Sequence, residues 1–78
     1  MSPKKIEVGK TYRNKGKGTT HRKVIAIGNE HRPEQWFTDR PRPKEPGVLF
    51  EQINAGGFYQ GFYRLYLSSF AAWCGGEV

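Results

Sequence analysis

The sequence predicts an all-β fold, a small antiparallel barrel of four to five short strands that ends in a short helical turn. Three observations lead to this class. The chain has 78 residues, enough for one domain with a small core. Its apolar residues form short runs rich in β-branched and aromatic side chains, and ten glycines and five prolines separate these runs as turns. Its single cysteine, Cys74, leaves no internal disulfide to support a smaller core.

Four segments have the composition of strands. Residues 1–6 are expected to be a loose start, and residues 8–13 form the first strand, with a glycine-rich loop after it. Residues 21–27 begin polar and become continuously apolar, which predicts a second strand covered on both faces at its far end. Residues 48–53 and 58–67 are the third and fourth strands, with Gly61 as a bulge or tight bend. Alternation in the fourth strand separates Tyr63 and Leu65 from Phe62 and Arg64.

The C-terminal segment is predicted to contain one turn of helix, at residues 70–73. Ser68 or Ser69 is its expected N-cap, and Gly75 and Gly76 are expected to end it. Closure of the strands into a barrel would hide the edges that an isolated hairpin leaves open. An SH3-like barrel is therefore the first prediction, with an OB-like barrel as the alternative. Residues 1–78 form this one domain.

A long proline-rich loop occupies residues 29–47. Its four prolines disfavour a central strand and favour extended chain, although a short strand around residues 35–38 fits the pattern. Loops of this length tend to carry function. The spaced prolines after Arg40 also match a polyproline segment that docks on an aromatic groove, but stiffening of the loop explains them better.

No motif in the sequence indicates catalysis, a cofactor or a metal site. Gly9, Lys10 and Thr11 lack the earlier glycine and the following helix of a phosphate-binding loop. The possible metal ligands are dispersed, without the paired spacing of zinc sites: His21, His31 and Cys74. We therefore expect no enzyme and no cofactor. No signal-peptide pattern and no apolar run near about 20 residues occurs, which predicts a cytoplasmic protein without a membrane partner.

Positive charge is concentrated in the first third of the chain. The formal net charge is +6, and residues 1–26 contain eight Lys and Arg against one acidic residue, Glu7. Such a segment attracts polyanions by counterion release, with nucleic acid the commonest partner and an acidic protein surface the next. A solvated, solubilising face is the alternative. The predicted phosphate contacts lie on the first hairpin, at Arg13, Lys15, Lys17, Arg22 and Lys23.

The five Phe, four Tyr and two Trp residues are more than a core of this size needs. Most of them are expected in the core, because small cores depend on large side chains. Trp36 and Tyr59 are the two expected on the surface, since both have polar or turn-like neighbours. Small barrels hold single strands by stacking bases on exposed aromatics beside a basic groove, so Trp36 is the predicted stacking residue.

Two resemblances follow from these segments. Residues 8–13 (Val-Gly-Lys-Thr-Tyr-Arg), the glycines at 16 and 18 and the Val-Ile-Ala-Ile run at 24–27 resemble the start of a KOW-type small barrel, a family that binds RNA or the transcription and translation machinery. The runs Gly-Lys-Thr-Tyr-Arg-Asn at 9–14, Arg-Lys-Val-Ile-Ala-Ile at 22–27 and Leu-Ser-Ser-Phe-Ala-Ala-Trp at 67–73 are similar to small accessory proteins of bacteriophages and prophages. The second resemblance implies a phage origin and the cytoplasm of a bacterial host.

The sequence thus predicts a small non-enzymatic binding module of phage or prophage origin, which binds nucleic acid through its basic N-terminal hairpin with little sequence preference. The alternative is a host-directed protein that docks on a bacterial complex, with residues 31–47 as the docking element. A third alternative is a virion or assembly component that self-associates. The choice between DNA and RNA, the identity of the partner and the oligomeric state stay open at this point.

Overall fold

A computed structural model describes residues 1–34, 41–54 and 56–78 of the chain. Within these ranges, five strands and one α-helix follow one another as β1 (Thr11–Asn14), β2 (His21–Gly28), β3 (Gly47–Ile53), β4 (Tyr59–Tyr66), α1 (Leu67–Trp73) and β5 (Cys74–Glu77). Single turns of 3-10 helix lie at Pro3–Lys5 and Asn29–His31. No helix in the described ranges has the length and apolar character needed to cross a membrane.

The strands form one antiparallel sheet with the order β4-β3-β2-β1-β5. Shifts of register within the β2–β3, β3–β4 and β1–β5 pairs mark irregularities of the kind that bend a sheet. β4 and β5 are the two edges, and α1 connects one to the other along the chain. The prediction of a small antiparallel all-β fold with short strands and a short C-terminal helix is confirmed.

The core lies between one side of the sheet and α1. The Phe70 ring, from α1, packs against the rings of Tyr12 and Phe50, with centroid distances of 6.0 and 5.3 Å. Burial of each large apolar side chain stabilises the fold by about 1.5–3 kcal/mol. The buried apolar residues are Ile6, Tyr12, Val24, Val48, Phe50, Phe70, Ala71 and Cys74.

Residues 1–6, which the sequence predicts as a loose start, contain a 3-10 turn and the buried side chain of Ile6. The Tyr12 hydroxyl accepts a hydrogen bond from the backbone N–H of Glu7 at 2.8 Å and donates one to the carbonyl of Lys5 at 3.2 Å. Ile6 is a lone apolar residue in a polar segment, so no local pattern predicts its burial. Its position depends on the contacts of Tyr12 with the residues on either side of it.

Two element boundaries differ from the predicted ones because of glycines. β1 begins at Thr11 and not at residue 8, because Gly9 takes a φ of +90° and turns the chain before the strand. Gly75 and Gly76, expected to end a helix, lie inside β5, where Gly76 pairs with Arg13 of β1 and Gly75 lies at the shift of register. A Cβ at Gly75 would lie 2.6 Å from the Cα of Lys15, so only glycine permits this close approach of the two strands.

β4 has the irregularity and the alternation that the sequence predicts. Gly61 has a φ of +98° and lies beside a shift of register between β3 and β4. Tyr63 and Leu65 lie opposite buried residues of β3 and share the core side, whereas Phe62 and Arg64 are on the other side. The strand therefore presents aromatic rings on both of its faces.

A side chain from the proline-rich segment caps the N-terminus of α1. The helix begins at Leu67, three residues earlier than predicted, and neither Ser68 nor Ser69 is its N-cap. Glu45 Oε1 accepts hydrogen bonds from the backbone N–H of Ser68 at 2.9 Å and from its hydroxyl at 2.6 Å. A carboxylate at this position satisfies an unpaired helix N–H and interacts favourably with the helix dipole. These hydrogen bonds lower the pKa of Glu45 below its ordinary value.

Candidate nucleic-acid interface

The side of the sheet opposite the core, which we call the outer face, brings together residues from four strands. Arg13 of β1 lies opposite His21 of β2, His21 opposite Ile53 of β3, and Ile53 opposite Tyr59 of β4. These four residues form a row across the sheet, from the first hairpin to the edge strand. The outer face consists of Thr11, Arg13, His21, Lys23, Ala26, Leu49, Glu51, Ile53, Tyr59, Phe62 and Arg64.

Four of the five predicted phosphate-binding cations are exposed at the first hairpin. Arg13 and Lys23 lie on the outer face, and Lys15 and Lys17 lie in the loop between β1 and β2. The backbone N–H of Lys15 donates to the carbonyl of Trp73 at 3.0 Å, which fixes the start of this loop. None of the four cations forms an ion pair with a carboxylate of the described residues. Their charges are available to a bound anion.

Lys10, which precedes β1, is different because two carboxylates neutralise it. Its Nζ lies 2.9 Å from Glu77 Oε1 and 3.6 Å from Glu7 Oε2. The hydrogen bond to Glu77, together with the charge of Glu7, raises the pKa of Lys10. The basic N-terminal segment therefore contains at least one cation that is already paired within the protein.

The fifth predicted cation, Arg22, lies on the core side of the sheet. Its guanidinium carbon is 4.7 Å from the ring centroid of Phe50 and 4.2 Å from that of Trp73. Its Nε–H donates to Gln52 Oε1 at 2.8 Å. Partial burial lowers the pKa of Arg22. The structure thus separates Arg22 from the other four cations and places its charge over aromatic rings.

The two aromatic residues predicted on the surface have different outcomes. Tyr59 is 56 % exposed, which confirms its prediction, and it ends the row that begins at Arg13. Trp36, the predicted stacking residue, lies outside the described residues, as does the short strand considered at residues 35–38. Of these two residues, Tyr59 is the one that the structure places on the surface.

The prediction that most aromatic residues lie in the core is wrong for the described part of the chain. Phe58, Phe62 and Tyr63 are 71 %, 57 % and 48 % exposed. All three lie in or directly before β4, an edge strand. A signal for this was present in the sequence, because Phe62 and Tyr63 are consecutive and cannot point to the same side of a strand. The aromatic residues with fully buried side chains are Tyr12, Phe50 and Phe70.

A groove of about 460 Å³ lies at one end of the outer face, between the β1–β2 loop and the β3–β4 turn. Asparagine side chains fix both walls. Asn14 Oδ1 accepts a hydrogen bond from the N–H of Gly16 at 3.2 Å, and Asn54 Oδ1 accepts one from the N–H of Phe58 at 3.0 Å. The groove is lined by Arg13, Asn14, Gly16, Gly18, Thr19, His21, Ile53, Asn54 and Gly57.

The three possible metal ligands singled out in the sequence have different surroundings. His21 is exposed on β2 and Cys74 is fully buried, whereas the Nε2 of half-buried His31 lies 3.4 Å from Glu30 Oε1. Across residues 1–34, 41–54 and 56–78, no group of three or more His, Cys, Asp or Glu side chains could hold a metal ion. The outer face offers positive charge and aromatic surface, which together are suited to binding.

Comparison with models of known protein families gives no match, and neither a curated protein nor a solved structure matches the chain. The geometry of the outer face is therefore the best guide to the function of the chain.

Proposed function

We propose that the protein is a non-enzymatic module that binds single-stranded nucleic acid across its outer face. The observation that carries this proposal is the row of Arg13, His21, Ile53 and Tyr59, which leads from the cationic hairpin to the aromatic edge strand. Three strand spacings separate β1 from β4, a span of roughly 14 Å. A strand of a few nucleotides can therefore contact both the cations and the rings.

The cations of the first hairpin supply the affinity for phosphate. Arg13, Lys15, Lys17 and Lys23 are exposed and have no carboxylate partner among the described residues. Contacts of this kind position a nucleic acid without selecting its sequence. Four such contacts with a single strand predict a slope of log affinity against log salt of about −3.

The exposed rings of β4 supply the preference for unpaired bases. Tyr59 and Phe62 are more than half exposed on the outer face, with their ring centroids 6.1 Å apart in an edge-to-face arrangement. Stacking of a base on an aromatic side chain contributes about 1–3 kcal/mol and tolerates any base. Bases in a duplex are already stacked and paired, so these rings favour single strands.

Fluorescence anisotropy with labelled single-stranded and double-stranded oligonucleotides, at low and near-physiological salt, tests the proposal. We expect salt-sensitive binding that is at least about fivefold tighter for the single strand, the lower limit for the loss of one stack. Equal affinity for the two forms would contradict the role of the rings. Absence of binding at low salt would overturn the proposal and favour docking of the hairpin on an acidic protein.

A pair of double variants separates the role of the hairpin from that of charge in general. The double substitution K15A/K17A removes two contacts and should flatten the salt slope to about −1.5. K4A/K5A removes the same charge from the 3-10 turn at Pro3–Lys5, away from the outer face, and is the matched control. An equal change of slope in both double variants would show that net charge, and not the hairpin, determines binding.

A further inference from the structure

A second cationic site lies at the core side of β4 and is distinct from the hairpin. It is a cleft of about 320 Å³, lined by Arg22, Phe50, Gln52, Tyr63, Arg64 and Leu65. Arg22 brings a guanidinium group to the cleft from the core side of the sheet, and none of the lining residues carries a carboxylate. Pockets for small ligands have volumes of about 300–1,000 Å³, so the cleft is large enough for a ligand of modest size.

Arg22 is the unusual group in this cleft, because it is half-buried and has no ion pair with any acid of the described residues. The rings of Phe50 and Trp73 cover its guanidinium, and Gln52 Oε1 accepts a hydrogen bond from its Nε–H. The donors that remain are those of the two terminal nitrogens. A guanidinium offers such donors in a planar fork, which matches the two oxygens of a carboxylate or phosphate.

Hydrogen bonds hold the wall of the cleft in place before any ligand binds. Gln52 receives the Nε–H of Arg22 and donates through Nε2 to Gln60 Oε1 at 2.8 Å. The Tyr63 hydroxyl donates to the backbone carbonyl of Gln60 at 2.8 Å. Arg22 and Tyr63 are therefore fixed relative to each other through two glutamines, an arrangement that lowers the entropic cost of binding.

Tyr63 adds an aromatic surface to the cationic cleft. Its ring stacks on that of Phe50, with a centroid distance of 6.2 Å and an interplanar angle of 30°, and 48 % of the residue is exposed. One part of the ring is thus supported by the core, while another part remains open to a flat ligand. Arg64, the next residue of the strand, lies at the rim of the cleft, and its side chain belongs to the outer face.

We propose that this cleft binds a small planar anion, with its phosphate or carboxylate group held by the Arg22 guanidinium and its ring against Tyr63. The proposal goes beyond nucleic-acid binding at the outer face, because the ligand is a small molecule and the contacting residues differ. The charge of the lining determines the class of ligand: a neutral aromatic compound would leave the Arg22 guanidinium without an anion.

NMR titration of the whole protein tests this directly. The Nε–H signal of Arg22 and the indole N–H signal of Trp73 report on the cleft, and R22K identifies the first signal by removing it. The probes are adenosine 5′-monophosphate against adenosine, and benzoate against benzamide. We expect saturable shifts of both signals with at least one anion, and affinity at least about tenfold weaker for its neutral counterpart. The pair that responds identifies phosphate or carboxylate as the preferred group.

Two substitutions separate this proposal from the proposed function. Tyr63→Ala removes the ring that faces the ligand and should weaken binding of the anion by about fivefold, while both reporter signals remain. K15A/K17A lies at the outer hairpin and should leave the titration unchanged while it weakens oligonucleotide binding. Absence of saturable shifts with both anions, equal affinity for the neutral compounds, or unchanged affinity in Tyr63→Ala would each overturn the proposal for the cleft.

Discussion

The edge strand β4 has eight residues, with four exposed aromatic rings in or directly before it. The other edge strand, β5, has four residues, of which the first, Cys74, is fully buried and the next two are glycines. β5 pairs with β1, and the last residue of β5, Glu77, forms an exposed ion pair with Lys10. One edge of this small sheet thus presents exposed aromatic rings, whereas the other presents small residues and a paired charge.

This difference indicates where the protein binds other molecules. Exposed apolar edge strands are liable to pair with other chains, and natural sheets usually shorten them or protect them with charge. β5 follows this rule through its length and its charged end, whereas β4 does not. The aromatic rings that remain exposed on both faces of β4 therefore indicate binding surfaces. Tyr59 and Phe62 lie on the outer face, and Tyr63 lies at the cleft on the core side.

Loss of Phe70 should have the largest effect, since α1 connects the two edges and the Phe70 ring contacts those of Tyr12 and Phe50. Phe70→Ala should lower the free energy of unfolding by about 3–5 kcal/mol in urea denaturation. Phe58→Ala, which removes an exposed ring before β4, is the control and should change stability by less than about 0.5 kcal/mol. Similar losses in the two variants would contradict the division between a packed helix and an open edge.

Close approach of β5 to β1 gives the next effect. Gly75→Ala places a Cβ 2.6 Å from the Cα of Lys15 and 2.7 Å from the carbonyl oxygen of Asn14, so the strands must shift. We expect a loss of about 1–3 kcal/mol in the free energy of unfolding. Gly16→Ala, in the adjoining loop with no atom within 4 Å of the added Cβ, should change stability by less than about 0.5 kcal/mol. Thermal or urea denaturation of both variants checks this contrast.

Substitutions in β4 should alter binding and leave stability almost unchanged. Tyr59→Ala and Phe62→Ala should each weaken single-strand binding by about 1–3 kcal/mol in the anisotropy assay. Their unfolding free energies should stay within about 0.5 kcal/mol of the parent chain, because both rings are largely exposed. Val8→Ala, an exposed apolar residue in the turn before β1, is the control for non-specific contact. A large stability loss with unchanged binding would show that these rings are structural.

The smallest effect concerns Glu45, whose carboxylate caps the helix between the two edges. Glu45→Ala should destabilise the fold by about 1 kcal/mol, and Glu45→Gln, which keeps an acceptor oxygen, by less. The pKa of Glu45 is lowered in the folded state, so its contribution is present above the ordinary pKa of about 4.3 and is lost as pH falls through the folded value. Denaturation at pH 7 and at pH 3 should show the difference between parent and Glu45→Ala shrinking at acid pH.

Local pattern was sufficient to predict the strands that run through the centre of the sheet. Residues 21–27 and 48–53 correspond closely to β2 and β3, because continuous apolar runs between turns have few other solutions. The bend at Gly61 and the exposure of Tyr59 were also predicted correctly, since both features depend on nearby residues. The fold class therefore followed from composition and short-range patterning.

The features that local pattern missed depend on contacts distant in sequence. β5 has the sequence Cys-Gly-Gly-Glu, which has little strand propensity and becomes a strand through its pairing with β1. Glu45 caps a helix that begins 22 residues later, and Arg22 meets Trp73 only in the folded state. Arg22 was assigned to the phosphate-binding residues from its charge alone. The sequence does not show that its side of the strand faces the rings of Phe50 and Trp73.

The pairing of β1 with β5 also has a consequence for the kinetics of folding. Tyr12 lies opposite Glu77, so completion of the sheet requires closure of a loop that contains most of the chain. Such non-local contacts slow folding, and small all-β domains of this type fold in roughly milliseconds to seconds. We expect the β2–β3–β4 meander to form first and the β1–β5 pairing to form late, with the open β4 rings accessible in both stages.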